Sequence, residues 1–171
     1  MMERASIRPA VDDQPIAVRS NGGDWIVTWH SQNAVPQGTA HGANGFCITI
    51  DDQVVLISGD SQRWGWPGGR PQSGESWEQT FRREVFEEAC AVVRNARLLG
   101  FCRGVCLSGS EEGLTLVRSI WRADVDLMAW EPRFEIRHRR TVRAVDVLSH
   151  LWIEEGFEPI YHRALVEAGL L

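Results

Sequence analysis

Glu84, Glu87 and Glu88 stand at i, i+3 and i+4, so on a helix they would share one side. Like charges so placed repel by roughly 0.2–0.5 kcal/mol per pair. A hard divalent cation turns that repulsion into attraction. Carboxylate oxygens are what Mg²⁺ or Mn²⁺ prefers, with substrate phosphates and waters filling the remaining positions. Arg83 lies four residues before Glu87 and can hold a carboxylate in a fixed orientation. Upstream, Gly68 and Gly69 let the backbone approach a ligand closely, so the Gly69 carbonyl is a further candidate oxygen. Taken alone, a run such as RREVFEEA is usually a solvated helix face.

The spacing of the longer segment, residues 69–91, changes that balance. Gly69 is followed by five residues and Glu75, then by seven residues and Arg83-Glu84-Val85, one residue, and Glu87-Glu88. Six positions match by exact residue type, and a chance match anywhere in the chain is on the order of 10⁻⁵ at average residue usage. The segment resembles the Nudix box, and Trp66-Pro67-Gly68-Gly69 resembles the family's usual approach to it. One departure stands out: Cys90 replaces the box's second glycine. A left-handed residue suits that place after a helix, and a cysteine there would cost roughly 1 kcal/mol.

The resemblance implies an α/β fold, a Nudix-type α/β/α sandwich around a mixed β-sheet. It also implies metal-dependent hydrolysis of a pyrophosphate bond in a nucleoside diphosphate linked to another moiety. By analogy Glu84, Glu87, Glu88 and Gly69 hold Mg²⁺ or Mn²⁺, Arg83 orients one of the acids, and Glu75 supports them. The general base stays open between a box glutamate and a loop acid, Glu111 or Glu112. Arg70, beside Gly69, is a candidate for substrate binding, since arginine's planar fork suits phosphate. Trp29, Trp64 and Trp121 are candidates for stacking on a base, although core packing is the commoner role of such residues. His30 and His41 border the first loop and can line a site. The subgroup marks for ADP-ribose, dinucleoside polyphosphates and NADH are missing, so the substrate stays open. Two other readings compete: a non-catalytic Nudix domain that binds a nucleotide or protein partner in a regulatory role, and isoprenoid diphosphate isomerisation, which needs a cysteine and a glutamate facing the substrate and for which Cys47 and Cys102 are the candidate thiols.

The elements that must position these residues follow from periodicity. Ser76 with Gln79 makes a capping box for a helix from Trp77, whose buried stripe is Trp77, Phe81, Val85 and Ala89. Residues 25–29, within DWIVTW, read as a strand, and 45–50 and 54–58 as a hairpin around Asp51-Asp52. Further strands are expected at 97–107 and 114–125, and helices at 142–152 and 159–170. Residues 1–20 read as a loosely ordered segment and 21–171 as a single domain.

Bulk properties bound the rest. The 171 residues carry a net charge of −5, which does not favour nucleic-acid polymers or anionic membranes. All 18 basic residues are arginine, which removes lysine-based Schiff-base and P-loop chemistry. The four cysteines show no paired metal-ligand spacing and read as small buried side chains. No run has the length of a signal peptide core or a membrane span, so a cytoplasmic protein is expected. The partner is then a small nucleotide or nucleoside diphosphate derivative. Dimers are frequent in the family, which leaves a homodimer open.

Overall fold

The computed structural model describes residues 7–171. Its strands are β1 (Ile16–Ser20), β2 (Gly23–Ser31), β3 (Thr39–Ile48), β4 (Gln53–Ser58), β5 (Gly68–Gly69), β6 (Ala91–Cys106), β7 (Thr115–Leu127) and β8 (His138–Arg143). The helices are α1 (Trp77–Ala89), α2 (Val147–His150) and α3 (Glu158–Glu167). The strands form one sheet in the order β1-β2-β6-β7-β3-β4-β8, with β5 paired to β3. β3 runs parallel to β7 and every other pairing is antiparallel, so the sheet is mixed as expected.

Alternation along the strands explains the layers. In β4, Val54 and Leu56 face one cluster of buried side chains while Val55 and Ile57 face the other. The period of two sends successive side chains to opposite faces, so a strand buried on both sides reads as a continuous apolar run. One cluster packs Ile160, Ala164 and Leu165 of α3 against the sheet. The other packs Phe81, Val85 and Ala89 of α1, with Phe81 stacked on Trp121 at 5.9 Å between ring centres. The result is an α/β/α sandwich.

Two expectations are corrected. Of residues 1–20, the first six lie outside the described residues, but the rest are tied down rather than loose. Residues 16–20 pair with β2, and Asp12 bridges Trp29. The Ala10 amide donates to the Pro159 carbonyl at 2.9 Å, and Arg163 donates to the Ala10 carbonyl. The segment gains order from the sheet edge and α3, which its composition does not show. The helix expected at 142–152 is shortened and irregular: residues 138–143 form β8, with Val142 opposite Val54, and a 3-10 turn at Ala144–Asp146 leads into the short α2. Val145, needed for a helical stripe, is 74% exposed.

The α1 contact sets the stability of the layer that carries the acids. Phe81→Ala, at a fully buried position, is expected to lower unfolding free energy by about 3–5 kcal/mol. Ile50→Ser, at a residue 77% exposed, is expected to change it by less than about 0.5 kcal/mol. Urea denaturation of both variants measures the contrast.

Candidate active site

Helix α1 begins where its cap requires. The Ser76 hydroxyl accepts from the Gln79 amide at 3.2 Å, and the Gln79 side chain accepts from the Ser76 amide at 2.8 Å. Just before it, the Glu75 carboxylate accepts from the Gln72 amide and from the Thr80 hydroxyl. Glu75 is thereby fixed as an anchor for Arg83, which donates to it from Nε at 2.6 Å and from Nη2 at 3.1 Å. The Arg83 bonds, with the Gln72 amide, hold the Glu75 carboxyl down at about 2.

Arg83 is the hub of the box. Beyond Glu75, its Nη1 reaches Glu84 at 2.8 Å and Glu87 at 3.2 Å, and its Nη2 donates to the Arg70 carbonyl at 2.9 Å. Glu84 is pressed against β5. A methyl group built on Gly69 would meet the Glu84 carboxylate at 2.5 Å, so only glycine leaves room for that carboxylate. Burial raises the Glu84 carboxyl, partly opposed by Arg83. Glu88 is held differently. Its carboxylate accepts from the Gly68 amide at 2.9 Å. Burial pushes its carboxyl up to about 8, with the Gly68 bond opposing and the charges of Glu84, Glu135 and Glu87 adding to the rise. Gly68 itself has φ +151, and a side chain there would strike the Ala43 carbonyl at 2.3 Å.

The donors fit a hard cation. Glu84, Glu87 and Glu88 offer only oxygen, and Glu88 lacks a cationic partner among the described residues. Arg83 sits between Glu84 and Glu87 and supplies some of the positive charge that the cluster demands. Among the described residues no three acidic, histidine or cysteine side chains already converge into a metal cage.

A cavity of about 210 Å³ lies beside this cluster. Asn44, paired with Gly68 across β3 and β5, is in its wall. Trp66, Arg118, Glu154 and Tyr161 line it too. A second hollow of about 70 Å³ shares Arg118 and adds His41, Glu111 and Trp25. Burial is the largest influence lowering the His41 imidazole, and the charges of Arg118 and Arg70 add to it, which puts Arg70 in the same neighbourhood.

The expected substrate residues therefore divide. Arg70 is exposed beside Gly69 and lines neither hollow. Trp29 is corrected: it is completely buried in the core and reaches no cavity. Trp64 is corrected as well, since its ring is covered by the Arg140 guanidinium at 3.9 Å and lines neither hollow. Trp121 is a core residue under Phe81. Of the loop acids, Glu111 lines a hollow whereas Glu112 points out at the loop tip. His30 is taken up by Asp13 and Thr28. Cys47 and Cys102 are buried free thiols; Cys102 borders the cavities, whereas Cys47 is in the α1 core. Trp66, Arg118, Glu154 and Tyr161 were not picked out from the sequence. Only Trp66 carried a local signal, its place in the Trp-Pro-Gly-Gly approach.

Residues 19–150 match the NUDIX domain family. The chain belongs to that family. Membership and the intact box acids make it an enzyme of the Nudix hydrolase kind. No curated protein matches it closely. Among solved structures, Bacillus subtilis pyrophosphohydrolase BsRppH is similar, with a TM-score of 0.65 at 16% identity over 91% of this chain and 96% of that one. The NUDIX domain of Shewanella oneidensis NrtR, complexed with ADP ribose, gives 0.51 at 19% identity over 83% and 94%. A MutT structure from work on Aliivibrio salmonicida and Vibrio cholerae gives 0.54 at 18% identity over 75% and 99%. At such identities the likeness is one of fold. No helix among the described residues is long and apolar enough to cross a membrane.

Gly69→Ala tests the contact with Glu84 directly. The added methyl should displace the carboxylate and lower hydrolysis by on the order of 10²-fold, with the circular dichroism spectrum unchanged. Retained activity would show that Glu84 need not sit against β5.

Proposed function

We propose that this enzyme is a metal-dependent pyrophosphohydrolase that cleaves the pyrophosphate bond of a nucleoside diphosphate linked to another moiety. The observation that carries the reading is the cluster of Glu84, Glu87 and Glu88, in which Arg83 bridges the first two, Glu84 lies against Gly69 and Glu88 accepts from the Gly68 amide, near a cavity of mixed polarity. Glu84, Glu87 and Glu88 would hold Mg²⁺ or Mn²⁺, with the Gly69 carbonyl a further oxygen. When bound, the cation neutralises phosphate oxygens and makes water a better nucleophile near neutral pH.

The chain's own residues do the rest. Arg83 bridges Glu84 and Glu87 and prevents them from splaying apart. Glu75 keeps Arg83 in place. Arg70 offers its guanidinium to phosphate oxygens next to Gly69. A carboxylate accepts the proton from the attacking water. Box glutamates can serve, and of the two loop acids Glu111 is the one facing the hollow.

Cys90 gives no support to a retired, regulatory site. It adopts the left-handed conformation that its position demands, φ 48 and ψ 54, so the helix ends as the box requires. For the isomerase reading Cys47 is removed, since it lies in the core beneath α1, which leaves Cys102 as its one thiol at a cavity.

A panel of nucleoside diphosphate compounds assayed with and without magnesium tests the reading. Glu87→Gln and Glu88→Gln are each expected to reduce metal-stimulated hydrolysis by at least about 10²-fold while leaving thermal unfolding cooperative. Wild-type turnover in both variants would refute the assignment. Glu111→Gln is expected to slow turnover and Glu112→Gln to leave it unchanged. Equal rates in the two would return the proton transfer to the box.

A further inference from the structure

The cavity beside the box holds polar groups that the hydrolytic cluster does not use. Arg118 comes from β7 and forms no ion pair among the described residues; its side chain makes one hydrogen bond there, to the Asn44 side-chain oxygen at 3.5 Å. Glu154 comes from the segment before α3. Its Oε2 accepts from the Ser20 hydroxyl at 2.7 Å, and its other oxygen has no protein donor among the described residues. Arg118 and Glu154 line the same cavity without closing on each other. The Tyr161 ring is stacked on Trp66 at 4.5 Å, and its hydroxyl makes no hydrogen bond among the described residues. Around these groups Trp66 and Phe157 supply apolar wall.

Arg118 is open to solvent and Glu154 is half-buried, so both keep polar valences that water can meet. A ligand that offers acceptors to one and donors to the other can take the place of that water. The hollow's volume of about 210 Å³ is below the ~300–1,000 Å³ of a site that encloses a whole drug-sized ligand. It suits one flat ring system, with sugar and phosphates left outside toward Arg70 and Gly69.

We propose that this cavity seats the base of the substrate and that Glu154 and Arg118 together select guanine. Guanine offers two adjacent N–H donors, at N1 and N2, which match an ionised carboxylate that only accepts. It also offers O6 and N7 as acceptors, the pair to which an arginine donates. Adenine offers a single amino group beside a ring nitrogen that repels a carboxylate. Uracil and cytosine each offer fewer N–H donors along one edge. Asn44 joins the seat to the reaction centre, because its strand partner Gly68 donates to Glu88. The proposal rests on the hydrolase reading for the diphosphate part of the substrate, but base selection can be measured without turnover.

Calorimetry with GMP, AMP and UMP, each in magnesium, is the first test. GMP should bind at least about tenfold tighter than either of the others, the ratio expected from one well-made charge-assisted hydrogen bond. Glu154→Gln keeps an acceptor for Ser20 but turns one guanine-facing oxygen into a donor, and should collapse the preference to below about threefold. Arg118→Met should weaken GMP more than AMP. Thermal midpoints near that of the unaltered chain confirm that both variants fold. Equal binding of the three nucleotides, or a GMP preference that survives Glu154→Gln, overturns the proposal. Absence of hydrolysis across the diphosphate panel, with GMP selectivity intact, would instead sink the hydrolase reading and leave the base seat standing.

Discussion

Carboxylates crowd together only if something answers their charge, and in this protein one guanidinium does much of that work. Arg83 touches Glu75, Glu84 and Glu87 and also reaches the backbone of Arg70. Arginine suits the task because its donors are fixed in a plane and its charge does not titrate. The proximity of Glu75, well outside the trio of Glu84, Glu87 and Glu88, is what lets Arg83 stay put. Without that outer anchor the guanidinium would be free to follow either box glutamate. Burial of ionised groups is tolerated only when they are paired and hydrogen-bonded. Glu88 is the member that meets this requirement least, and its carboxyl is the one pushed highest.

The sheet supplies the other half of the constraint. β5 is only two residues long, yet it fixes Gly68 and Gly69 against Ala43 and Asn44. One face of that short pairing looks at α1 and its acids. The other continues into Asn44 and the cavity on the α3 side. The alternation that sends neighbouring side chains of β3 to opposite layers is therefore also what joins the two parts of the site. Ala43 is in the core beneath α1, while Asn44, one residue on, borders the cavity. Glycine is needed at both β5 positions for different reasons: backbone conformation and backbone approach at Gly68, and room for the Glu84 carboxylate at Gly69.

The box was legible because its geometry is local. A spacing of three or four residues fixes a helix face, and a serine three residues before a glutamine fixes where the helix starts. Most strands were legible for the same reason, since two-residue alternation needs no tertiary information. The cavity was not. Arg118 lies on a strand whose neighbours Val117 and Ser119 are buried, and nothing nearby in sequence tells which hollow its side chain borders. Glu154 and Tyr161 come from a segment brought over the sheet by contacts such as the Arg19 amide to the Glu155 carbonyl. The tryptophans failed as guides because an indole buries as readily as it binds. Trp29 went to the core, Trp64 went under Arg140, and the rings that reached the cavity were Trp66 and Trp152. At 142–152 the first two residues went to pairing with β4, because a strand partner was available for the β-branched Thr141 and Val142, and only 144–150 kept helical turns.

Cys90 shows what its box position requires. The residue takes a left-handed conformation even though a side chain there costs roughly 1 kcal/mol, so the demand is conformational and not specific to glycine. The surroundings offset it. Arg139, from β8, donates to the carbonyls of Ala89, Cys90 and Met128. Those first two carbonyls belong to the end of α1, where the helix leaves acceptors unsatisfied and where positive charge is favoured. The Cys90 thiol donates to the Glu131 carbonyl at 3.2 Å. A guanidinium from a distant strand thus closes the helix that carries the acids. Its bonds are worth more than the strain, since a charge-assisted hydrogen bond contributes about 1.5–3 kcal/mol. The glycine of the family pattern is replaceable here because the sheet, through Arg139, supplies the termination that glycine would otherwise make easy.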